Sequence, residues 1–435
     1  MNTMSKLTVA LVGAAGLALA ADAAQAQTVV VNGTGSSAGR QFAALSPLFL
    51  CDASPTPQFF TGPGSPANLT EWQCNRGGKA HIFRYASGAS ADGYEKQPNG
   101  AIGTVSVLNT ATGCVAGTLD TNFKGTGKSV IPNTCTGALL ASQTVHYGGA
   151  DVKASSLHQT IFGSTQTPPA KGHLTTTPVV VVPFAIVVGA DVRGKTSGGA
   201  ATPLLTLQEE EIRQILAGIV TDWTQLGYTT VNGTPSNITV CQRTIGSGTL
   251  ATIDEVIMRP KYWTGSFFDD TTAGAVPNAG SGNMQACLGG NKNSIGYIDS
   301  DSVKGITPVG AYQVGINGYQ VNTSAVDNPI GTPPNGVDRL KDLRCGRYIY
   351  WADWNFVNRT ASVEGAPVNA VAGTQSAVLA LRASMLAHNP LTEFWLSEND
   401  TFVSKGDDRG PMSWQDPTNN GANLADVCRY AGSTF

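Results

Sequence analysis

Arg243-Thr244-Ile245-Gly246-Ser247-Gly248-Thr249 is the stretch that decides the fold. Before it, Ile238 to Arg243 has the apolar, β-branched composition of a strand. After it, Leu250 to Met258 reads as a helix. A strand that ends in a Gly/Ser-rich turn and enters a helix offers unpaired N–H groups, a positive dipole end and hydroxyl donors. Glycine lets a ligand approach that backbone closely. Such a turn suits an anion, and Arg243 adds a planar fork of charged donors.

Three further segments also carry a strand end into a Gly/Ser-rich turn, and three of the four turns enter a helix: Gly33-Thr34-Gly35-Ser36-Ser37-Ala38-Gly39, Gly88-Ala89-Ser90-Ala91-Asp92-Gly93 and Tyr147-Gly148-Gly149-Ala150-Asp151. Any one of them is most simply an ordinary turn or cap. Four in one chain, with Arg243 and Asp151 among them, point to a shared anion site. Asp151 is the odd member, because a carboxylate repels an anion unless that anion carries a proton to donate. Monohydrogen phosphate does and sulfate does not, so one acid among donors discriminates between them.

Outward from these turns, strands are expected at Thr28–Asn32, His81–Tyr85, Val145–Val152 and Ser294–Ile298. Helices are expected through Phe42, Leu45 and Leu48, at Leu207–Ala217 and at Gln375–Ala387. Residues 52–70 read as a loop, and 95–145 as a Gly- and Thr-rich insert. Pro178 to Val188, PVVVVPFAIVV, is apolar on both faces, as a central parallel strand should be. Strands alternating with helices predict an α/β fold with parallel or mixed sheets.

The chain has 435 residues, enough for two or three domains, and a net charge of −3 with 13% charged residues. That balance gives no basic surface for nucleic acid. Lys6, the apolar run Leu7–Ala20 and Ala24-Gln25-Ala26 read as a signal peptide over residues 1–26. No lipid-anchor cysteine follows, and no later run is long enough for membrane insertion, so a periplasmic or extracellular product is expected. Eight cysteines without a CxxC fit disulfides in that compartment. Nearest-neighbour pairing, Cys51–Cys74, Cys114–Cys135, Cys241–Cys287 and Cys345–Cys428, is the simplest of the available connectivities. His81, His146, His158, His173 and His388 have no metal-ligand spacing, so neither metal nor cofactor is expected. Trp223, Trp351 and Trp354 read as core or interface residues.

The ordered set of turns resembles the phosphate-binding protein of bacterial phosphate ABC transporters, in the type II periplasmic binding superfamily. Arg243–Thr249 is similar to that family's R-x-D-G-S-G-T loop, and Leu205–Trp223 to its helix and turn. Ser294-Ile295-Gly296-Tyr297 is similar to its S-I-G-Y strand. Tyr147–Asp151 and Gly33–Gly39 resemble two further segments. The resemblance implies a two-lobed (Venus-flytrap) fold, each lobe a central sheet flanked by helices, with two hinge crossings near Pro183 and Val314. Lobe one would hold 27–182 plus 316–435, with the 95–145 insert, and lobe two 186–312. It implies an oxyanion site of Ser36, Ser37, Ala38, Ser90, Asp151, Arg243, Ser247, Gly248 and Thr249, a monomer, and an ABC permease as partner. Departures are Ile245 at the family's loop-four aspartate and Ala91-Asp92-Gly93 at its Gly-Gly, where Asp92 would add negative charge beside an anion.

Two other readings stand beside this one. A secreted structural, adhesive or sensing protein would keep the scaffold without transport. Gly35-Ser36-Ser37-Ala38-Gly39 also fits G-x-S-x-G, the nucleophile turn of serine hydrolases, though at the first mature strand. Phosphatase chemistry would want a metal cluster that the sequence does not display. The reading is therefore a binding protein without enzymatic activity.

Overall fold

The computed structural model describes residues 27–63, 68–194, 202–258, 275–305, 310–321, 340–360, 373–389, 395–396, 403–404 and 413–414. Sixteen strands matter here. They are β1 (Val29–Ser36), β2 (Gln58–Thr61), β3 (Leu69–Arg76), β4 (Lys79–Gly88), β5 (Thr104–Leu108), β6 (Cys114–Ala116), β7 (Ile131–Cys135) and β8 (Leu139–Thr144). After these come β9 (Tyr147–Ala150), β10 (Leu174–Gly189), β11 (Thr206–Leu207), β12 (Thr239–Arg243), β13 (Ala275–Asn278), β14 (Ser294–Asp299), β15 (Ala311–Ile316) and β16 (Trp351–Arg359). The helices used below are α1 (Arg40–Leu45), α2 (Ser90–Glu95), α3 (Glu209–Leu216), α4 (Gly248–Ile253), α5 (Ser281–Gly290) and α6 (Thr374–Ala387).

Among the described residues, fourteen strands form one mixed sheet in the order β13-β12-β14-β10-β16-β9-β1-β4-β3-β2-β7-β6, with β15 on β10 and β11 on β15. The long strand β10 joins its two halves. Its residues Leu174–Pro183 pair with β16, and Phe184–Gly189 pair with β14 and β15. The two prolines of β10 explain where its ladder changes. Proline has no N–H to donate. Pro178 stands at the register shift against β16, and Pro183 is the last residue paired with β16 before β14 takes over at Phe184.

The apolar run expected to be a parallel strand is buried from Val179 to Gly189, yet all three of its neighbours run antiparallel to it. The physical reason is that an unbroken apolar run reports two covered faces and carries no information on strand direction. Parallel pairing occurs around the Gly/Ser turns: β1 with β4 and β9, and β12 with β13 and β14. That direction brings strand ends to one edge and feeds them into helix starts. Val314 lies mid-strand opposite Ile186, so the return to β16 comes after Ile316.

Residues 52–70 contain β2, and the 95–145 insert is largely strand. There β6 and β7 extend the sheet beyond β2, and β5 pairs with β8. Short strands punctuated by Pro and Gly show too little alternation to be read from sequence. The helix expected at Leu250–Met258 is α4 followed by a π-helical turn, Asp254–Met258.

Trp223, Trp351 and Trp354 are fully buried in the main core with Val181, Phe184 and Tyr297. A smaller core of Val187, Cys241, Met284 and Leu288 lies under α5. The pairs Cys51–Cys74, Cys114–Cys135 and Cys241–Cys287 are disulfides, as nearest-neighbour pairing predicts. Cys345 is also disulfide-bonded, and Cys428 lies outside the described residues, as does the signal segment 1–26.

Candidate functional site

The site begins at the end of β1. Gly35 has φ +126°, and a Cβ there would lie 2.1 Å from the Gly149 carbonyl, so β1 and β9 can meet only through glycine. Ser36, at the last position of β1, accepts from the Gly39 N–H at 2.9 Å and donates to the Asp151 carboxylate. Tyr85 donates to the Ser36 carbonyl at 2.9 Å. Ala38 is buried in the same turn.

The second turn leaves β4. Ser90 opens α2, donates to Asp151 Oδ2 at 3.1 Å and accepts from the Asp151 N–H at 3.1 Å. Asp92 of the same turn accepts from the Ala89 N–H at 2.9 Å and so closes the turn. Asp151 thus holds hydroxyls from two turns. Burial pushes its carboxyl up to about 6, against the pull of the Ser36 and Ser90 hydrogen bonds, and with a further push from Asp299 and a counter-pull from Arg243.

The fourth turn arrives from the other half of the sheet. Arg243, 1% exposed at the end of β12, donates through Nε to the Asn278 carbonyl at 3.2 Å and through Nη1 to Thr249 Oγ1 at 3.3 Å. Its Nη2 donates to Ser37 Oγ and to the Ala279 carbonyl, each at 3.2 Å. Four of the five guanidinium N–H groups therefore have protein acceptors. Burial lowers the affinity of this guanidinium for its proton, opposed first by Asp299. Ser247 caps α4 by accepting from the Leu250 N–H at 3.3 Å. A Cβ on Gly248 would lie 2.3 Å from Ser90 Oγ and 2.7 Å from Asp151, so the start of α4 sits directly against the second and third turns. The Ala91 N–H donates to the Gly246 carbonyl at 3.0 Å. Ile245 packs partly buried against the main core.

Ser36, Ser37, Ser90, Asp151, Arg243, Gly248 and Thr249 are thus linked by direct contacts, while Ser247 and Ala38 hold the turns that carry them. Sequence reasoning missed Tyr297, whose hydroxyl accepts from the Arg243 N–H at 3.3 Å, and Tyr350, which donates to the Thr249 carbonyl at 3.2 Å. It also missed Ser281, 3.4 Å from Ser37, and Asp299, which accepts from Ser281 at 2.6 Å. Gly280-Ser281-Gly282, which caps and opens α5, was a fifth Gly/Ser helix start and could have pointed there. Ser37, the central serine of the G-x-S-x-G match, meets Arg243 Nη2 at 3.2 Å and Ser281 Oγ at 3.4 Å.

Residues 119–330 match the family model described as a PBP superfamily domain. The matched stretch carries Asp151 and the Arg243 turn, and the first two turns of the site lie before it. No curated protein matches the chain. Among solved structures, the chain overlays on a protein from Clostridium perfringens, described as a phosphate ABC transporter substrate-binding protein with bound phosphate. The identity is 13%, the TM-score 0.45, and the overlay covers 85% of this chain and 99% of the other. An ABC-type phosphate transport receptor from Vibrio cholerae overlays at 13% identity and TM-score 0.41, with 85% and 99% covered. A reduced form of OxyR from N. meningitidis overlays at 8% identity and TM-score 0.34, with 84% and 96% covered. Among the described residues, no helix is long and apolar enough to cross a membrane, and no group of three or more His, Cys, Asp or Glu is placed to hold a metal ion.

Proposed function

We propose that the protein is an exported solute-binding protein that captures a small oxyanion, phosphate first, between two lobes. The observation that carries this reading is the meeting of four Gly/Ser turns, from both halves of the sheet, on Asp151 and Arg243. Ser36, Ser37, Ala38, Ser90, Asp151, Arg243, Ser247, Gly248 and Thr249 form the ligand site. Backbone N–H groups, hydroxyls and the guanidinium replace the anion's water, and Asp151 accepts the one proton that monohydrogen phosphate offers.

Lobe one is 27–182 plus 316–435 and lobe two is 186–312. The change of partners in β10 at Pro183 supports a hinge there. An anion that contacts both lobes favours the closed state, because only closure joins the two sets of donors. The protein works outside the cytoplasm as a monomer, delivers its ligand to an ABC permease and performs no covalent chemistry.

A second reading has one observation in its favour. Arg243 already donates to four protein acceptors, a pattern that suits a scaffold kept without its ligand. Thermal melting across phosphate, arsenate and sulfate separates the two. A melting temperature that rises with phosphate supports capture, since a ligand specific for the folded state stabilises it by mass action. An unchanged melting temperature with all three supports the scaffold.

A further inference from the structure

Two carboxylates that the oxyanion site does not use lie buried behind Arg243. Asp299 ends β14, and Asp301 follows in the 3-10 turn Ser300–Gly305. They are 0% and 5% exposed. One oxygen of each is satisfied by the protein: Ser281 donates to Asp299 Oδ1, and Gln41 of α1 donates to Asp301 Oδ2, both at 2.6 Å. The remaining oxygens, Asp299 Oδ2 and Asp301 Oδ1, are buried and receive no donor.

Buried carboxylate oxygens that receive no donor, on two groups whose charges act on one another, carry both a desolvation cost and mutual repulsion. A single proton between them removes both, because a protonated carboxyl is itself a donor. Burial first, then the charge of Asp299 and a hydrogen bond with it, push Asp301 well above the carboxylate range, while Arg40 pulls it down. The charged groups facing the pair are Arg40, on α1, and Arg243 and Asp151, which act on Asp299 from the oxyanion site. Arg40 Nη1 is engaged by the Ser37 carbonyl at 3.2 Å, and its Nε receives no acceptor, so it makes no direct bond to either carboxylate.

We propose that Asp301 is a positioning residue: as a carboxylic acid that donates to Asp299 and accepts from Gln41, it ties β14 to α1 and holds the two halves of the molecule together around Arg243. The observed contacts are Gln41 with Asp301, and Asp299 with Ser281, Ser281 with Ser37 and Ser37 with Arg243; the proposed hydrogen bond between the two carboxyls joins these two stretches. The importance of this tie for ligand capture rests on the oxyanion reading; the tie itself does not.

The full-length protein tests it in three ways. Infrared difference spectra at pH 8 between wild type and Asp301→Asn should contain a carboxylic-acid C=O band that the variant lacks. Without ligand, X-ray scattering along an alkaline titration from pH 7 should show the wild type expanding as the proton leaves. Asp301→Asn, which keeps a donor and an acceptor, should stay compact, and Gln41→Ala should be expanded already at pH 7. Phosphate affinity should fall about tenfold over the same range in wild type and stay level in Asp301→Asn. Absence of the band from wild type, or equal expansion of wild type and Asp301→Asn, overturns the proposal. If wild type binds no phosphate at all, the oxyanion reading fails, while the infrared and scattering arms still decide this one.

Discussion

Arg243 Nη2 donates to Ser37 Oγ across 3.2 Å and 206 residues of sequence. Ser37 follows β1 and Arg243 ends β12, so this one contact joins the two halves of the sheet at the candidate site. Arg243 is also the positive charge that the proposed ligand would need. Truncating one partner of a buried charged contact costs about 2–5 kcal/mol, mostly as a faster off-rate. Arg243→Ala should therefore weaken phosphate binding by ~30-fold or more. Arg243→Lys should recover little, because an ammonium cannot reproduce the fork that reaches Ser37, Thr249 and two carbonyls. Fluorescence or calorimetric titration of the three proteins checks both.

Asp151 gives a prediction with a definite sign. Its carboxyl is raised in the folded state from 3.8 to about 6, chiefly by burial. A raised value means the folded form binds the proton more tightly, so this contribution is fully present below pH 3.8 and is lost as pH rises through about 6. Above that, the ionised carboxylate is a standing cost of about 3 kcal/mol. Asp151→Asn should remove it. In phosphate-free buffer the stability of the variant relative to wild type should increase by about that amount between pH 4 and pH 7, read by urea unfolding.

The same substitution should change ligand choice. An amide can donate to sulfate, whereas the carboxylate needs a ligand that donates. Asp151→Asn should lower the phosphate-to-sulfate affinity ratio by at least about tenfold, the value of one mismatched buried hydrogen bond. Competition binding at pH 8 measures it.

Gly248→Ala would place a methyl 2.3 Å from Ser90 Oγ and 2.7 Å from Asp151. Overpacking of this kind costs about 1–3 kcal/mol. Because the clash lies between α4 and the turns of the other half, phosphate affinity should fall together with melting temperature. A drop in melting temperature with unchanged affinity would mean that the turns do not close on a ligand.

Cys241–Cys287 closes a loop of sequence separation 46 between β12 and α5. Chain-entropy reasoning gives such a bridge about 4 kcal/mol. Replacing both cysteines by serine should lower the unfolding midpoint by a corresponding amount, and should weaken phosphate binding, because α5 carries Ser281 at its first position.

Much of this architecture could be read in the chain, for identifiable reasons. The Gly/Ser turns declare themselves locally, since each is fixed by a few adjacent residues, and three disulfides follow from sequence proximity. The direction of β10 was not legible, because Val179–Val182 look the same in either orientation. The strand Gln58–Thr61 was hidden among prolines. Ile245 stands where the resembled family has an aspartate, and only the folded chain reveals Asp299 acting on Arg243 from β14. The Asp299–Ser281–Ser37 connection spans distant segments whose proximity no local pattern encodes.

Isothermal calorimetry of the wild-type protein with phosphate and then sulfate at pH 8 tests the central claim most directly. The account predicts saturable one-to-one heat with phosphate, much weaker heat with sulfate, and near-complete loss of both in Arg243→Ala. A flat phosphate trace, or one that Arg243→Ala leaves intact, would contradict it.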